Sequence, residues 1–262
     1  WKLPFKYLWN IVYLIGDYVI EIKLFKTYDL KGYTLIDAFP GIGLVGPMAG
    51  SYMVEKLKME YIGYIDSDAF PPIAAIHSGT PVFPARLYMD KKFKLIVALS
   101  EFVIPSTSVY LLSRELLAFI RKNGISRVIS ISGMASQKPS ETVFVTSPDQ
   151  GVMKKAAKGG LKPIEAGVVA GVGAVLMINA FQYNVVSMNI LVEVNPQIMD
   201  PKYAEIAITG LNKIIDIDID LKDLDEEAKA VESKIRDMLK KMKESPEHYN
   251  KAAEATGPSM YA

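Results

Sequence analysis

A short apolar run that breaks into a glycine loop and then into a helix sets the fold class of this chain. Tyr33 to Phe39 is rich in aliphatic and aromatic residues and reads as a strand. It passes into Phe39-Pro40-Gly41-Ile42-Gly43-Leu44-Val45-Gly46, and Gly41 to Leu57 then reads as a helix. A further strand is expected at Tyr61 to Ile65. The same order recurs downstream, with a strand at Leu95 to Ser100, a helix at Ser106 to Lys122 and a buried strand at Arg127 to Ser132. The helix has Pro105 before it and Asn123-Gly124 as its stop, as helix termini favour. Antiparallel strands can be joined by a tight hairpin; strands joined through helices point to parallel pairing. The expectation is an α/β chain with a mostly parallel sheet covered by helices on both faces.

The remaining segments fit around that frame. Tyr18 to Phe25 reads as a strand, and Pro71 to Met89 as a hairpin turning at Ser78-Gly79. Ala166 to Ala180 is an apolar run too short to span a bilayer, and Gly167, Gly171 and Gly173 suit a tightly packed buried segment. Tyr203 to Ile215 reads as a helix entered through Asp200-Pro201. The aromatic stretch Trp1 to Ile15 is interrupted by Pro4 and Asn10, so it is read as an edge hairpin or self-association surface. It shows no cleavable signal pattern.

Composition removes several functions. There is no Cys, so disulfides, thiol catalysis and Cys-bound zinc are out of reach. His77 and His248 are the two His, too far apart in sequence to imply a His-based metal site. The formal net charge of +1 gives no field favouring nucleic acid or an acidic membrane. The expectation is a cytoplasmic protein with no metal, no cofactor, no nucleic acid and no membrane partner.

The glycine loop invites a second reading. Gly41, Gly43 and Gly46 satisfy G-x-G-x-x-G after a strand, and Asp66 lies 20 residues beyond Gly46 at the end of the next strand. That is the dinucleotide fingerprint, in which backbone amides approach a pyrophosphate at a helix N-terminus. The competing reading is that these glycines make a tight turn and pack helix on strand without a ligand. No hydride-transfer apparatus follows, so the loop is expected to be structural. Asp66 and Asp68 could form an acid/base pair but read more simply as a solvated turn. Glu101, Glu165 and Glu193 are expected near strand ends with nothing tying them together. Ser130 and Ser132 lack a nucleophile elbow, and His77 lacks an acid at diagnostic spacing. Arg86 alone offers a guanidinium near the expected crevice for a phosphorylase-like chemistry. No catalytic residue is assigned.

The C-terminal quarter is built differently. Leu221, Leu224, Ala228, Val231, Ile235, Met238 and Met242 are spaced 3, 4, 3, 4, 3, 4, an unbroken heptad seam on an otherwise charged helix. Leu224, Ala228, Val231, Ile235, Met238 and Met242 are the expected oligomer interface. The alternative is a helix laid on its own domain. Ser245 to Gly257 reads as a flexible polar linker. The chain then ends in Met260, Tyr261 and Ala262, which present an apolar plug, an amphipathic ring and an α-carboxylate together. That combination suits capture in a pocket holding a cation or backbone amides. The organisation expected is an N-terminal extension (1–20), an α/β domain (21–220), a heptad helix (221–244) and a tail (245–262).

The ending resembles the hydrophobic-tyrosine-any-residue tail that proteasome activators insert between α-subunits of the proteasome core particle. The body carries a matching likeness. Gly32-Tyr33-Thr34-Leu35 leading into Phe39 to Gly46 resembles the opening of the archaeal proteasome assembly chaperone family. So do Ile65-Asp66-Ser67 with Phe70-Pro71-Pro72, Ile104-Pro105, Ile129-Ser130-Ile131-Ser132-Gly133, and Pro196 with Asp200-Pro201. The resemblance spans roughly residues 20 to 244. It implies a three-layer α/β/α sandwich similar to nucleoside phosphorylases, used as a non-catalytic homo-oligomeric assembly or activating factor. The tail narrows the likeness to members resembling ATP-independent activators. The implied partners are the core-particle α-subunits, through Met260, Tyr261 and Ala262, and copies of the chain itself as a tetramer or pentamer. Two other readings remain open. One is an oligomeric scaffold that keeps its tails sequestered. The other is a nucleoside phosphorylase-like or nucleotide-binding enzyme using the Gly41–Gly46 loop.

Overall fold

Thr34 to Ala38, the strand before the glycine loop, is buried along its whole length, so it must have a strand on either side and a helical layer on each face. A computed structural model of the chain, which describes residues 18–215 and 217–222, has that arrangement. In chain order the elements are β1 (Ile20–Leu24), β2 (Thr34–Ala38), α1 (Val45–Lys56), β3 (Glu60–Ser67), β4 (Ala75–His77), β5 (Thr80–Val82), β6 (Ala85–Asp90) and β7 (Leu95–Ser100). There follow α2 (Val109–Lys122), β8 (Arg127–Ala135), β9 (Val143–Thr146), α3 (Gln150–Lys158), β10 (Lys162–Pro163), α4 (Val172–Gln182), β11 (Val186–Val194) and α5 (Pro201–Ile215).

Among the described residues, one sheet takes the order β1-β3-β6-β7-β2-β8-β11-β9-β10. Its centre, β7-β2-β8-β11, is parallel throughout. On one side β6, β3 and β1 continue it antiparallel, and on the other β11 pairs antiparallel with β9. The sandwich with a parallel centre is the expected class. Side chains alternate across it. Ile36, Ala38, Val97, Ile129 and Ile190 meet α1, α3 and α5 on one face. Leu35, Ala98, Val128 and Leu87 meet α2 and α4 on the other.

Local signals carry through at the helix ends. Asp149 precedes α3 and its Oδ1 accepts the Val152 amide at 3.0 Å, an N-cap. At the end of α2, Gly124 adopts φ +64°. Its amide bonds Arg121 O at 3.3 Å and the Ile125 amide bonds Ile120 O at 3.0 Å. That is a Schellman stop, and it explains Asn123-Gly124.

Two expectations change. The hairpin turns at Ser78 (φ +50°) and Gly79 (φ +77°) as expected, but its arms are only β4 and β5. Residues from Ala85 leave it to pair between β3 and β7. The reason is burial: Leu87 and Met89 are buried in the main core, which a free hairpin cannot supply. Ala166 to Ala180 is not one buried segment. Its first half is an exposed loop, and α4 begins at Val172.

At the C-terminal side, Ile219 lies in the α1/α5 core and the Tyr52 hydroxyl donates to Asp220 O at 2.6 Å. Leu224, Ala228, Val231, Ile235, Met238, Met242, Met260, Tyr261 and Ala262 lie outside the described residues.

At Gly46 α1 rests directly on backbone. A Cβ there would sit 2.8 Å from both Ile131 O and Phe39 O, and backbone cannot swing aside as a side chain can. Gly46→Ala is therefore expected to lower unfolding stability by about 1–3 kcal/mol, as overpacking does. Chemical denaturation should register this as a lower midpoint with an unchanged slope.

Candidate functional site

The carboxyl ends of β7, β2, β8 and β11 lie at one edge of the sheet, where open α/β folds hold ligands. The glycine loop leaves β2 at this edge. Gly43 adopts φ +67°, the left-handed region, and a Cβ there would lie 2.8 Å from a Val194 methyl. The Leu44 amide bonds Gly41 O at 3.1 Å and closes the turn on itself. Gly41 is extended (φ −140°), with open space around it. The next chain contact is closer still: a Cβ at Gly133 would meet Ile42 O at 2.1 Å. Gly43 and Gly46 thus let the loop lie directly on β8 and β11. The space beside Gly43 is filled by Val194, and the space beside Gly133 by the Ile42 carbonyl.

Asp66 does not complete a dinucleotide pair. Its strand, β3, is separated from β2 by β6 and β7, three spacings or roughly 14 Å away. Asp66 Oδ1 accepts the Ser67 amide at 3.0 Å beside it, and Asp68 Oδ1 accepts the Val19 amide at 3.2 Å at the entry to β1, so both carboxylates hold chain segments in place.

The sequence reading missed a polar row inside the sheet. Asp37, Ser130 and Asn189 are aligned across β2, β8 and β11 and are all buried. Ser130 Oγ donates to Asp37 Oδ2 at 2.7 Å, and the Phe39 amide donates to Oδ1 at 3.2 Å. The first turn of α4 lies over the row, and it can do so because of Gly173: a Cβ there would be 2.6 Å from Ser130 Cβ. Asn189 Oδ1 has no hydrogen-bond partner among the described residues. Burial pushes the Asp37 carboxyl up to about 6, against the opposing pull of its two hydrogen bonds. The available signal was the carboxylate itself, in a strand otherwise reading as core.

A second cluster sits beside the end of β7. Glu101 Oε1 accepts from Arg86 Nη2 and contacts His77 Nε2 at 2.5 Å. Arg86 is almost fully buried, also donates to Phe83 O at 3.2 Å, and lies 5.8 Å from the Tyr88 ring centroid. Its guanidinium is engaged inside the protein and is not presented to a phosphate. The acid that His77 lacked at sequence spacing is supplied by Glu101 across the fold. Glu193 accepts from the Ser140 amide at 3.0 Å and hydroxyl at 2.6 Å, while Glu165 is exposed. Glu101 and Glu193 are held on strands three spacings apart, so these carboxylates do not converge.

Comparison with known proteins matches this architecture closely. The sequence profile of the PAC2 family matches residues 35–239. An uncharacterized protein of Methanocaldococcus jannaschii is 28% identical over 225 residues, 84% of this chain and 93% of the relative. The crystal structure of Pyrococcus furiosus PbaA, an archaeal homolog of proteasome-assembly chaperone, superposes with a TM-score of 0.76 at 26% identity, covering 86% of this chain and 100% of PbaA. Pyrococcus furiosus PbaB, an archaeal proteasome activator, has the same fold at a TM-score of 0.70 and 21% identity, over 84% of this chain and 98% of PbaB.

The Asp37 shift has a sign that can be measured. The folded carboxyl titrates about two pH units above its ordinary value near 3.8, so between about pH 4 and 6 the folded chain keeps a proton the unfolded chain has lost. Stability from this group is present below that window and declines as pH rises through it. Asp37→Asn removes the dependence. The stability difference, Asp37→Asn minus wild type, should rise by about 2–3 kcal/mol between pH 4 and pH 7. Urea unfolding of both proteins at each pH reads it, and parallel curves would contradict the assignment.

Proposed function

The chain belongs to the PAC2 family, and on that footing we propose that it is a non-catalytic proteasome assembly chaperone of the tailed, activator-like kind. The observation that carries this reading is the likeness to PbaA over 86% of this chain at 26% identity. The packed carboxyl edge supports it: the glycine loop rests on Gly133 and Val194, and Arg86 is engaged by Glu101. Gly41, Gly43 and Gly46 are then structural residues of the body rather than a nucleotide cradle.

In this reading the body, residues 21–220, forms a homo-oligomer of four or five subunits in the cytoplasm. The seam Leu224, Ala228, Val231, Ile235, Met238 and Met242 takes part in the interface. The tail then docks on the α-subunits of the core particle. Tyr261 packs its ring in an inter-subunit cleft with its hydroxyl paired, since a buried phenol needs a partner. Met260 fills an adaptable apolar contact. The Ala262 carboxylate meets a lysine of the core particle, a charge-assisted contact. One tail loses much of its gross interaction energy to ordering. Several tails on one ring, each meeting its own pocket, raise the affinity without any new kind of contact. About 18 residues beyond Glu244 span at most roughly 60 Å, enough to reach from body to pocket.

Deleting Met260 to Ala262, or making Tyr261→Ala, should abolish pull-down of purified core particle while leaving the oligomer mass unchanged. Retained binding by the truncated chain would transfer the role to another surface. A wild type that does not bind core particle would favour the scaffold with sequestered tails. The seam is tested separately: the double variant Val231→Asp, Ile235→Asp should lower the mass measured by light scattering.

A further inference from the structure

We propose that the outer face of α4, together with the loop 166–171 leading into it, is a contact surface for a second copy of this chain. The inference rests on the homo-oligomer reading but names a surface distinct from the heptad seam.

The first observation is chemical. From Ala166 to Val192 the chain carries no charged residue. Within this stretch α4 buries Val172, Ala174, Leu176 and Ala180 against the sheet and α2. The opposite stripe, at helical spacing, is Val175, Ile178 and Phe181, and Ile178 and Phe181 are 59% and 62% exposed. The polar side chains of α4 are Asn179 and Gln182 alone, and a helix this apolar is normally buried on most of its faces. The other helices have the usual solvent face. Arg114 and Arg121 are exposed on α2, Lys154 and Lys158 on α3, and Lys213 on α5. Among the described helices, α4 alone turns bare hydrocarbon outward.

The patch extends at both ends of the helix. Val168, in the loop before α4, is 96% exposed. Tyr183, directly after it, is exposed with the Arg121 guanidinium 4.5 Å from its ring centroid. Val168, Ile178, Phe181 and Tyr183 together present on the order of 500 Å² of mainly apolar side chain, the size of the functional patches seen on proteins. With their neighbours they approach the ~800 Å² per partner that a stable interface buries.

Two facts select a second copy as the occupant. The face formed by Val168, Ile178 and Phe181 carries no charge of its own, Arg121 lying at its Tyr183 end, so it can be set against itself about a two-fold axis without bringing like charges together at its centre, whereas a charged partner would lose hydration there and find no counter-charge. The chain's own C-terminal segment also starts in the wrong place. Ile219 is in the core between the sheet and α1 and α5, and Leu221 packs against that core, on the face opposite α4.

The absence of Cys makes the surface directly testable. Phe181→Cys, treated with a short bis-maleimide, should give a covalent dimer in high yield, while Lys154→Cys on α3 should give little. Ile178→Asp with Phe181→Asp should reduce the mass in solution at least two-fold with an unchanged circular dichroism spectrum. A seam variant that loses mass yet keeps the Phe181→Cys cross-link would separate the two surfaces, leaving this one standing. Cross-linking of Phe181→Cys no better than Lys154→Cys, with wild-type mass in the aspartate double variant, overturns the proposal. So does a lowered melting temperature at unchanged mass, which would mean that the face is covered within one chain.

Discussion

β2 is buried on both faces and on both edges, and the rest of the molecule is organised around satisfying it. Its backbone groups find partners in β7 and β8, and its side chains alternate between two separate apolar layers. Because β2 runs parallel to both β7 and β8, hairpins cannot join it to them. The helical crossovers follow, and with them the three layers. The glycines then set how close the layers come. At Gly46 a helix touches strand backbone, at Gly43 a turn rests on Val194, and at Gly173 a helix start rests on Ser130. Each is a contact between elements distant in sequence, and a methyl group at any of the three would hold the layers apart.

The interior is not wholly apolar, and its polar groups sit toward the edge where related folds carry chemistry. Asp37 with Ser130, and Arg86 with Glu101 and His77, are both clusters a solvent-accessible pocket could use. Here they are turned on one another. A buried carboxyl costs several kcal/mol unless it is hydrogen-bonded or protonated, and Asp37 combines two hydrogen bonds with a raised affinity for its proton. Arg86 with Glu101 ties β6 to the end of β7, under the small hairpin that His77 closes. Leaving either partner alone would cost more than the pair contributes, so such pairs define which groups meet more than they add stability.

A body of this kind contributes to function by geometry. Its family and its likeness to PbaA place it among proteasome-assembly chaperone homologs, and the proposed activity depends on how many tails one assembly presents and where they emerge. The uncharged face of α4 and the heptad seam would provide two kinds of subunit contact on one chain. Two distinct isologous interfaces on one chain would close a tetramer, because one isologous contact alone stops at two subunits.

What the sequence by itself determined is local. The βα alternation, the ends of α2, the turn at Ser78-Gly79 and the tight course of the glycine loop follow from residues within a few positions of one another, through periodicity, capping and φ preference. Asp66 shows the limit. Its spacing from Gly46 fits a nucleotide-binding pair, yet strand order puts β6 and β7 between them. Likewise β6 left its expected hairpin for the main sheet, His77 found Glu101, and Asp37 found Ser130. Each was decided by which strands lie side by side, a choice set by burial summed over the whole sheet and not by any short stretch of sequence. The apolar course of α4 was also plain in the sequence and was read as burial. Only the tertiary structure showed that the sheet and α2 cover one side of it, because the space available against a sheet is filled by whichever helices reach it, and Ile178 and Phe181 on the far side are left exposed.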